Sequence, residues 1–129
     1  MSKQVIKTDQ APNPVGPYSQ GIIAKGKMIF VAGQVGLNPA TGKLVEGGVQ
    51  TQTQQALTNI KNILAAVGAD LSHVVKTTVF LSTIADFKAL NEVYATFFPE
   101  NPPARSTFGG LELPAGALVE IECIAIIED

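Results

Sequence analysis

The chain has 129 residues, with 9 Lys+Arg against 11 Asp+Glu, a formal net charge of -2 and a sequence pI near 5.3. One cysteine and one histidine are too few for a Cys/His zinc site, and one cysteine excludes a disulfide framework within the chain. The chain also has no lysine run, so it lacks the even phosphate-neutralising field of a dedicated nucleic-acid binder and nucleic acid is not an expected partner.

A length of this order suits one domain, expected over residues 1–129. Val5-Ile6 reads as a short first strand that stops before the proline-rich Ala11-Pro12-Asn13-Pro14. Runs from Tyr18 to Ala24 and from Met28 to Ala32 read as strands joined by a hairpin at Lys25-Gly26-Lys27. The stretch Gly21 to Met28 matches all but the last position of a phosphate-cradling loop. The required hydroxyl and following helix are missing, so the hairpin is the better account. Gly33 to Gly48 reads as loop, with a turn at Asn38-Pro39-Ala40-Thr41-Gly42.

From Val49 the apolar period changes to three and four, through Thr53, Ala56, Leu57, Ile60, Leu64 and Val67, with Gln50, Gln54, Lys61 and Asn62 opposite. This spacing predicts an amphipathic helix stopped by Gly68. Val74 to Leu81 is β-branched and apolar, hence a strand. Thr83 and Asp86 have capping-box spacing, and a second helix turns Phe87, Leu90, Tyr94 and Phe97/Phe98 inward until Pro99. Arg105 to Leu113 and Ala117 to Ile127 are two further strands, joined at Pro114-Ala115-Gly116. The expected class is a mixed α+β fold, a six-stranded, mostly antiparallel sheet with two helices on one face.

Alternation along the last strand puts Val119, Ile121, Cys123, Ala125 and Ile127 on one apolar face and Leu118, Glu120, Glu122, Ile124 and Ile126 on the other. Two helices cover only one of them. The second greasy face therefore calls for a partner, and another copy of the chain is the simplest. No apolar stretch reaches the ~20 residues of a bilayer span, and Met1-Ser2-Lys3-Gln4 is no apolar leader, so a cytoplasmic protein without a membrane role is expected.

Among the solitary residues, His73 has no nucleophile elbow to serve, and Cys123 on an apolar face reads as a small hydrophobe. Arg105 differs. It is the single arginine among lysines, stiffened by Pro102-Pro103, and its planar fork fits a carboxylate bidentately. Glu120 among apolar neighbours needs water or a cation, and a pair with Arg105 across strands or subunits would supply it.

Gly16-Pro17-Tyr18-Ser19-Gln20, Ala32-Gly33-Gln34, Asn91-Glu92-Val93-Tyr94, Pro103-Ala104-Arg105-Ser106 and Val119-Glu120-Ile121-Glu122 together resemble the RidA (YjgF) superfamily, in order over nearly the whole chain. The resemblance implies a chorismate-mutase-like fold, a homotrimer with a central barrel, and ligand clefts between subunits. It also implies hydrolysis of enamine/imine intermediates from pyridoxal-phosphate dehydratases to 2-keto acids and ammonia, without cofactor or metal. By matching position, Arg105 would clamp the substrate carboxylate and Glu120 would activate water. Tyr18 would line the cleft, its hydroxyl assisting the imine or the water, while Gly33 and Asn91 would shape it. Thr107 stands where cysteine is common, and Gly109-Gly110 replaces a bulkier stretch, which bears on the side chains accepted. Two other readings are a non-catalytic trimeric module that binds small carboxylates, and an RNA-cleaving enzyme, against which the acidic pI and single histidine weigh.

Overall fold

Strand alternation decides the layering, because one face of the last strand is packed and the other is not. The computed structural model describes residues 3–128. Its strands are β1 (Lys3–Ile6), β2 (Gly21–Ala24), β3 (Lys27–Val35), β4 (Leu37–Asn38), β5 (Lys43–Leu44), β6 (Val74–Leu81), β7 (Ala104–Phe108) and β8 (Val119–Ile127), with helices α1 (Val49–Ala65) and α2 (Phe87–Phe97). The main sheet has the order β3-β8-β6-β7. β8 is antiparallel to both neighbours, while β6 and β7 are parallel and linked through α2. Such a crossover needs a helix-length connection, which α2 provides.

Val119, Ile121, Cys123 and Ala125 of β8 are buried with Leu57, Ile60 and Leu64 of α1 and Leu90 and Tyr94 of α2. The α1 periodicity holds up to its end. There Gly68 takes φ +76°, the Gly68 N–H donates to Ala65 O at 3.1 Å, and the Ala69 N–H donates to Leu64 O at 3.0 Å. This is the paired stop that a left-handed glycine allows. It leaves Val67, expected inward, exposed beyond the last turn. Gln52 is buried on the inner side instead, its Oε1 accepting the Leu118 N–H at 2.8 Å.

The expected six-stranded sheet is a four-stranded sheet with a separate β1-β2 ribbon and a small β4-β5 pair. Ser19, just before β2, bridges to Ala104 of the main sheet, and Lys3 Nζ of β1 donates to Val74 O of β6 at 2.9 Å. Pro12, Pro14 and Pro17 lack N–H donors, as do Pro102 and Pro103 opposite, so the ladder has nothing to extend it. The hairpin at Lys25-Gly26-Lys27 is likewise corrected, since β2 pairs with β1 and β3 with β8. Gly26, at φ +139°, turns the chain from one sheet to the other, and a Cβ there would run into the Ile127 carbonyl.

Gly33 lies in strand rather than loop. β3 runs on to Val35 through a register shift between Val31 and Gln34, so Ala32 and Gly33 form a bulge. The turn at Asn38–Gly42 forms as expected and joins β4 to β5. Thr83 caps a single 3-10 turn, Ile84–Asp86, through its side chain and Ala85 N–H at 3.2 Å, while Asp86 makes no capping bond to α2. β7 stops at Phe108, short of Leu113, because Gly109 is pressed against Ile84 and Gly110 turns at φ +76°.

The sheet face away from the helices stays open in the single chain. Phe30 is 68% exposed, Met28 56% and Phe108 51%, and the Phe80 and Phe108 rings stack at 6.0 Å between centroids. On the packed face, burial and the charge of Glu122 push the Cys123 thiol up to about 12. Cys123 in the native protein will therefore resist alkylation at pH 8, whereas the denatured chain will take one adduct. Mass spectrometry before and after denaturation reads this directly.

Candidate functional site: a buried, unpaired guanidinium

β7 enters the sheet from Pro102-Pro103, whose fixed φ angles set its start. Two bonds hold the Tyr18 segment beside it: Ser19 Oγ donates to Pro102 O at 2.6 Å and Ser19 N–H to Pro103 O at 3.1 Å. Arg105 is in register with Thr77 of β6, so both point to the helix side. Thr77 Oγ1 and Tyr94 Oη are 2.7 Å apart, which fixes the Tyr94 ring beneath the arginine. Burial pushes the Tyr94 phenol up to about 12, so it remains neutral.

Three rings surround the guanidinium, with Arg105 Cζ 4.8 Å from the Tyr94 centroid, 5.3 Å from Tyr18 and 5.4 Å from Phe87. Ring faces attract a cation and hold it in one plane. They do not satisfy its N–H groups. Arg105 Nη1 and Nη2 are buried without a hydrogen-bond partner, as are Asn91 Oδ1 and Thr107 Oγ1. Burial pulls the arginine pKa down, against Tyr94 and Tyr18, yet a guanidinium keeps its charge in a protein. A buried cation without an acceptor is costly, and an anion with two coplanar oxygens removes that cost.

Tyr18 Oη accepts the Val15 N–H at 3.1 Å, which leaves the phenolic proton free to donate into the corner. Gly16 closes it: a Cβ there would stand 3.2 Å from Asn91 Nδ2 and 3.5 Å from Arg105 Nη2. The structure thus brings together Tyr18, Asn91 and Arg105, with Thr107 two residues along the same face of β7. Glu120 and Gly33 form a second group. Glu120 is in register with Phe80 and Val35, on the sheet face opposite Arg105, and its carboxylate lies against the Gly33 bulge. An Arg105–Glu120 pair within one chain is therefore excluded by strand alternation.

Phe87, Tyr94, Gly16 and Ser19 are the contributors that sequence reasoning did not assign to the site. Phe87 and Tyr94 are seven apart on one helical stripe, a spacing that reads equally as core. His73 closes the capping box of a 3-10 turn capped by Asp70, its Nδ1 accepting the Asp70 N–H at 3.1 Å. No group of three or more His, Cys, Asp or Glu side chains that could hold a metal occurs among the described residues.

A family model described as Endoribonuclease L-PSP matches residues 8–127. The chain belongs to this family, the RidA family. Reactive Intermediate Deaminase A, chloroplastic, from Arabidopsis thaliana is 50% identical over 98% of this chain and 67% of its own. The human 2-iminobutanoate/2-iminopropanoate deaminase is 45% identical over 96% of this chain and 90% of its own. Among solved structures, RidA from an Antarctic Psychrobacter superposes with a TM-score of 0.76 at 43% identity, covering 96% of this chain and 99% of its own. In this RidA chain the Pro103-Ala104-Arg105-Ser106 block is the entry to β7, and Val119-Glu120-Ile121-Glu122 is the start of the central strand β8. The two blocks thus carry Arg105 and Glu120, one from each of the two groups.

Proposed function

We propose that the protein is a cofactor-independent 2-iminobutanoate/2-iminopropanoate deaminase, a hydrolase that converts reactive enamine/imine products of pyridoxal-phosphate dehydratases to 2-keto acids and ammonia. One observation carries this reading: both terminal nitrogens of Arg105 are buried and unpaired inside an aromatic frame. The frame fits a small, flat carboxylate.

Arg105 binds the carboxylate bidentately, and the Tyr18 hydroxyl donates a hydrogen bond to the bound substrate. Glu120 takes a proton from a water whose oxygen bonds to the imine carbon. Glu120 returns that proton to the nitrogen to give the carbinolamine, whose hydroxyl proton passes to the amino group as the C–N bond breaks and the carbonyl forms, so one water enters and one ammonia departs. An imine is electrophilic already, so orientation beside an activated water supplies much of the acceleration.

In this reading the chain works as one domain over residues 1–129 and as a homotrimer with ligand clefts between subunits. Two observations support it. Phe30, Met28 and Phe108 form an uncovered apolar face, and Arg105 and Glu120 lie on opposite faces of their own sheet. A second copy supplies the missing half of each site. No helix among the described residues is long and apolar enough to cross a membrane, and the compartment we assign is the cytoplasm, or an organelle such as the one named for the Arabidopsis relative.

The position of Gly33 gives a test of the Glu120 half-site. A methyl at Gly33 would stand 2.9 Å from Glu120 Cδ and must displace the carboxylate. Gly33→Ala should lower kcat about 10²-fold, the effect of moving a reacting group by about 1 Å, with circular dichroism unchanged.

The separation of Arg105 from Glu120 within the chain also favours one rival reading, a carboxylate-binding module without turnover. Adding the protein to a threonine dehydratase reaction decides between them. Faster 2-oxobutanoate release supports the deaminase. Carboxylate binding with no acceleration leaves the binding module, and Arg105-dependent RNA degradation by a nuclease-free preparation would point to the family model's description instead.

A further inference from the structure

Thr107 is, with Asn91 Oδ1, an orphaned group of the corner that carboxylate binding does not use. Its Oγ1 is buried and has no partner, although a threonine hydroxyl can both donate and accept. Thr107 is in register with the fully buried Val79, so it shares the helix-side face with Arg105. Residues i and i+2 of a strand are roughly 7 Å apart along the backbone, so the Arg105 and Thr107 side chains are neighbours on that face. The far end is walled. A Cβ on Gly109 would meet Ile84 N at 2.6 Å, and the Ile84–Asp86 turn runs straight into Phe87, whose ring flanks Arg105.

Resting on the deaminase reading, we infer that Thr107 Oγ1 is a specificity group that hydrogen-bonds a polar substituent on the third or fourth carbon of the substrate, so that hydroxylated short-chain 2-imino acids are preferred over their alkyl isosteres. The Thr107 hydroxyl was stripped of water at folding and is left unpaired by an alkyl chain. A substrate hydroxyl restores the bond, whereas an alkyl chain of the same shape leaves the orphan in place. The Gly109–Ile84 wall limits the length of chain that fits.

The matched pair 4-hydroxy-2-oxobutanoate and 2-oxopentanoate differs only by a hydroxyl in place of a methyl. Calorimetric titration should show the intact protein binding the hydroxy acid about tenfold more tightly, the value of one buried hydrogen bond. Thr107→Val should reverse the order of the two acids, and Thr107→Ser should retain the original order. Thr107→Val should also raise Tm, by about 3–5 °C, because it removes a buried unpaired hydroxyl; a merely structural hydroxyl would lower Tm when lost. An affinity ratio that is the same in the intact protein and in Thr107→Val overturns the inference. Failure of both acids to bind overturns it too, and the dehydratase-coupled assay on the same preparation then shows whether the deaminase reading falls with it.

Discussion

Arg105→Ala will lose imine hydrolysis by about 10²–10³-fold or more in kcat/KM, while the chain folds and assembles as before. The magnitude follows from removing one partner of a buried charged pair, a loss of about 2–5 kcal/mol, which corresponds to a rate factor of that order. Folding survives because Nη1 and Nη2 have no hydrogen-bond partner among the described residues to lose. Arg105→Lys will recover little of the activity. An ammonium is a point charge, and it neither lies flat among the Tyr18, Phe87 and Tyr94 rings nor offers two parallel donors to a carboxylate. Steady-state kinetics with dehydratase-generated imine, beside gel filtration and circular dichroism, checks each part. Unchanged turnover in Arg105→Ala would remove the carboxylate clamp.

Glu120→Gln separates binding from chemistry. The amide keeps the shape of the carboxylate against the Gly33 bulge but cannot take a proton from water, so kcat should fall about 10²–10⁴-fold, the usual contribution of a general base. KM should move little, because the carboxylate grip belongs to β7 and Glu120 belongs to β8. Equilibrium binding of a 2-keto acid, measured in the same variant, should persist. A protein whose turnover survives Glu120→Gln would need another base, and the described residues on that sheet face offer Glu122, two positions further along β8.

Much of the fold was legible in the residues because its elements obey local rules. The period of α1, the β-branched run of β6 and the alternation of β8 each report burial directly, and all three lie where expected. Pairing was not legible. Gly26 looks like a hairpin glycine, yet β2 and β3 separate into different sheets, because partner choice is made by β8 a hundred residues away. The bulge at Gly33 was hidden for the same reason, since a strand carrying a glycine reads as loop until its partner is known.

The site divided along a similar line. Arg105 and Glu120 stood out by type and by resemblance to the RidA superfamily, but the faces on which they lie depend on register with Thr77 and Phe80. The rings that frame the arginine were invisible as a site, because Phe87 and Tyr94 have the spacing of ordinary core residues. The Tyr18 contact depends on the Ser19 bonds to Pro102 and Pro103, more than eighty residues away.

The strand order gives the two halves of the site different freedom to change. β8 lies between β3 and β6, and its alternate residues Val119 and Ile121 are fully buried, so a shift of Glu120 would disturb close-packed neighbours on both sides. β7 is the outermost strand, paired along one side and, among the described residues, bridged on the other only at Ala104. A change at Thr107 therefore disturbs no second ladder, whereas Gly109 is held against the Ile84 backbone. In a laboratory evolution experiment, altered side-chain preference should arise by drift along β7, while the water-activating carboxylate is inherited unchanged from parent to variant. The sheet thereby keeps the reaction constant and lets its diet vary.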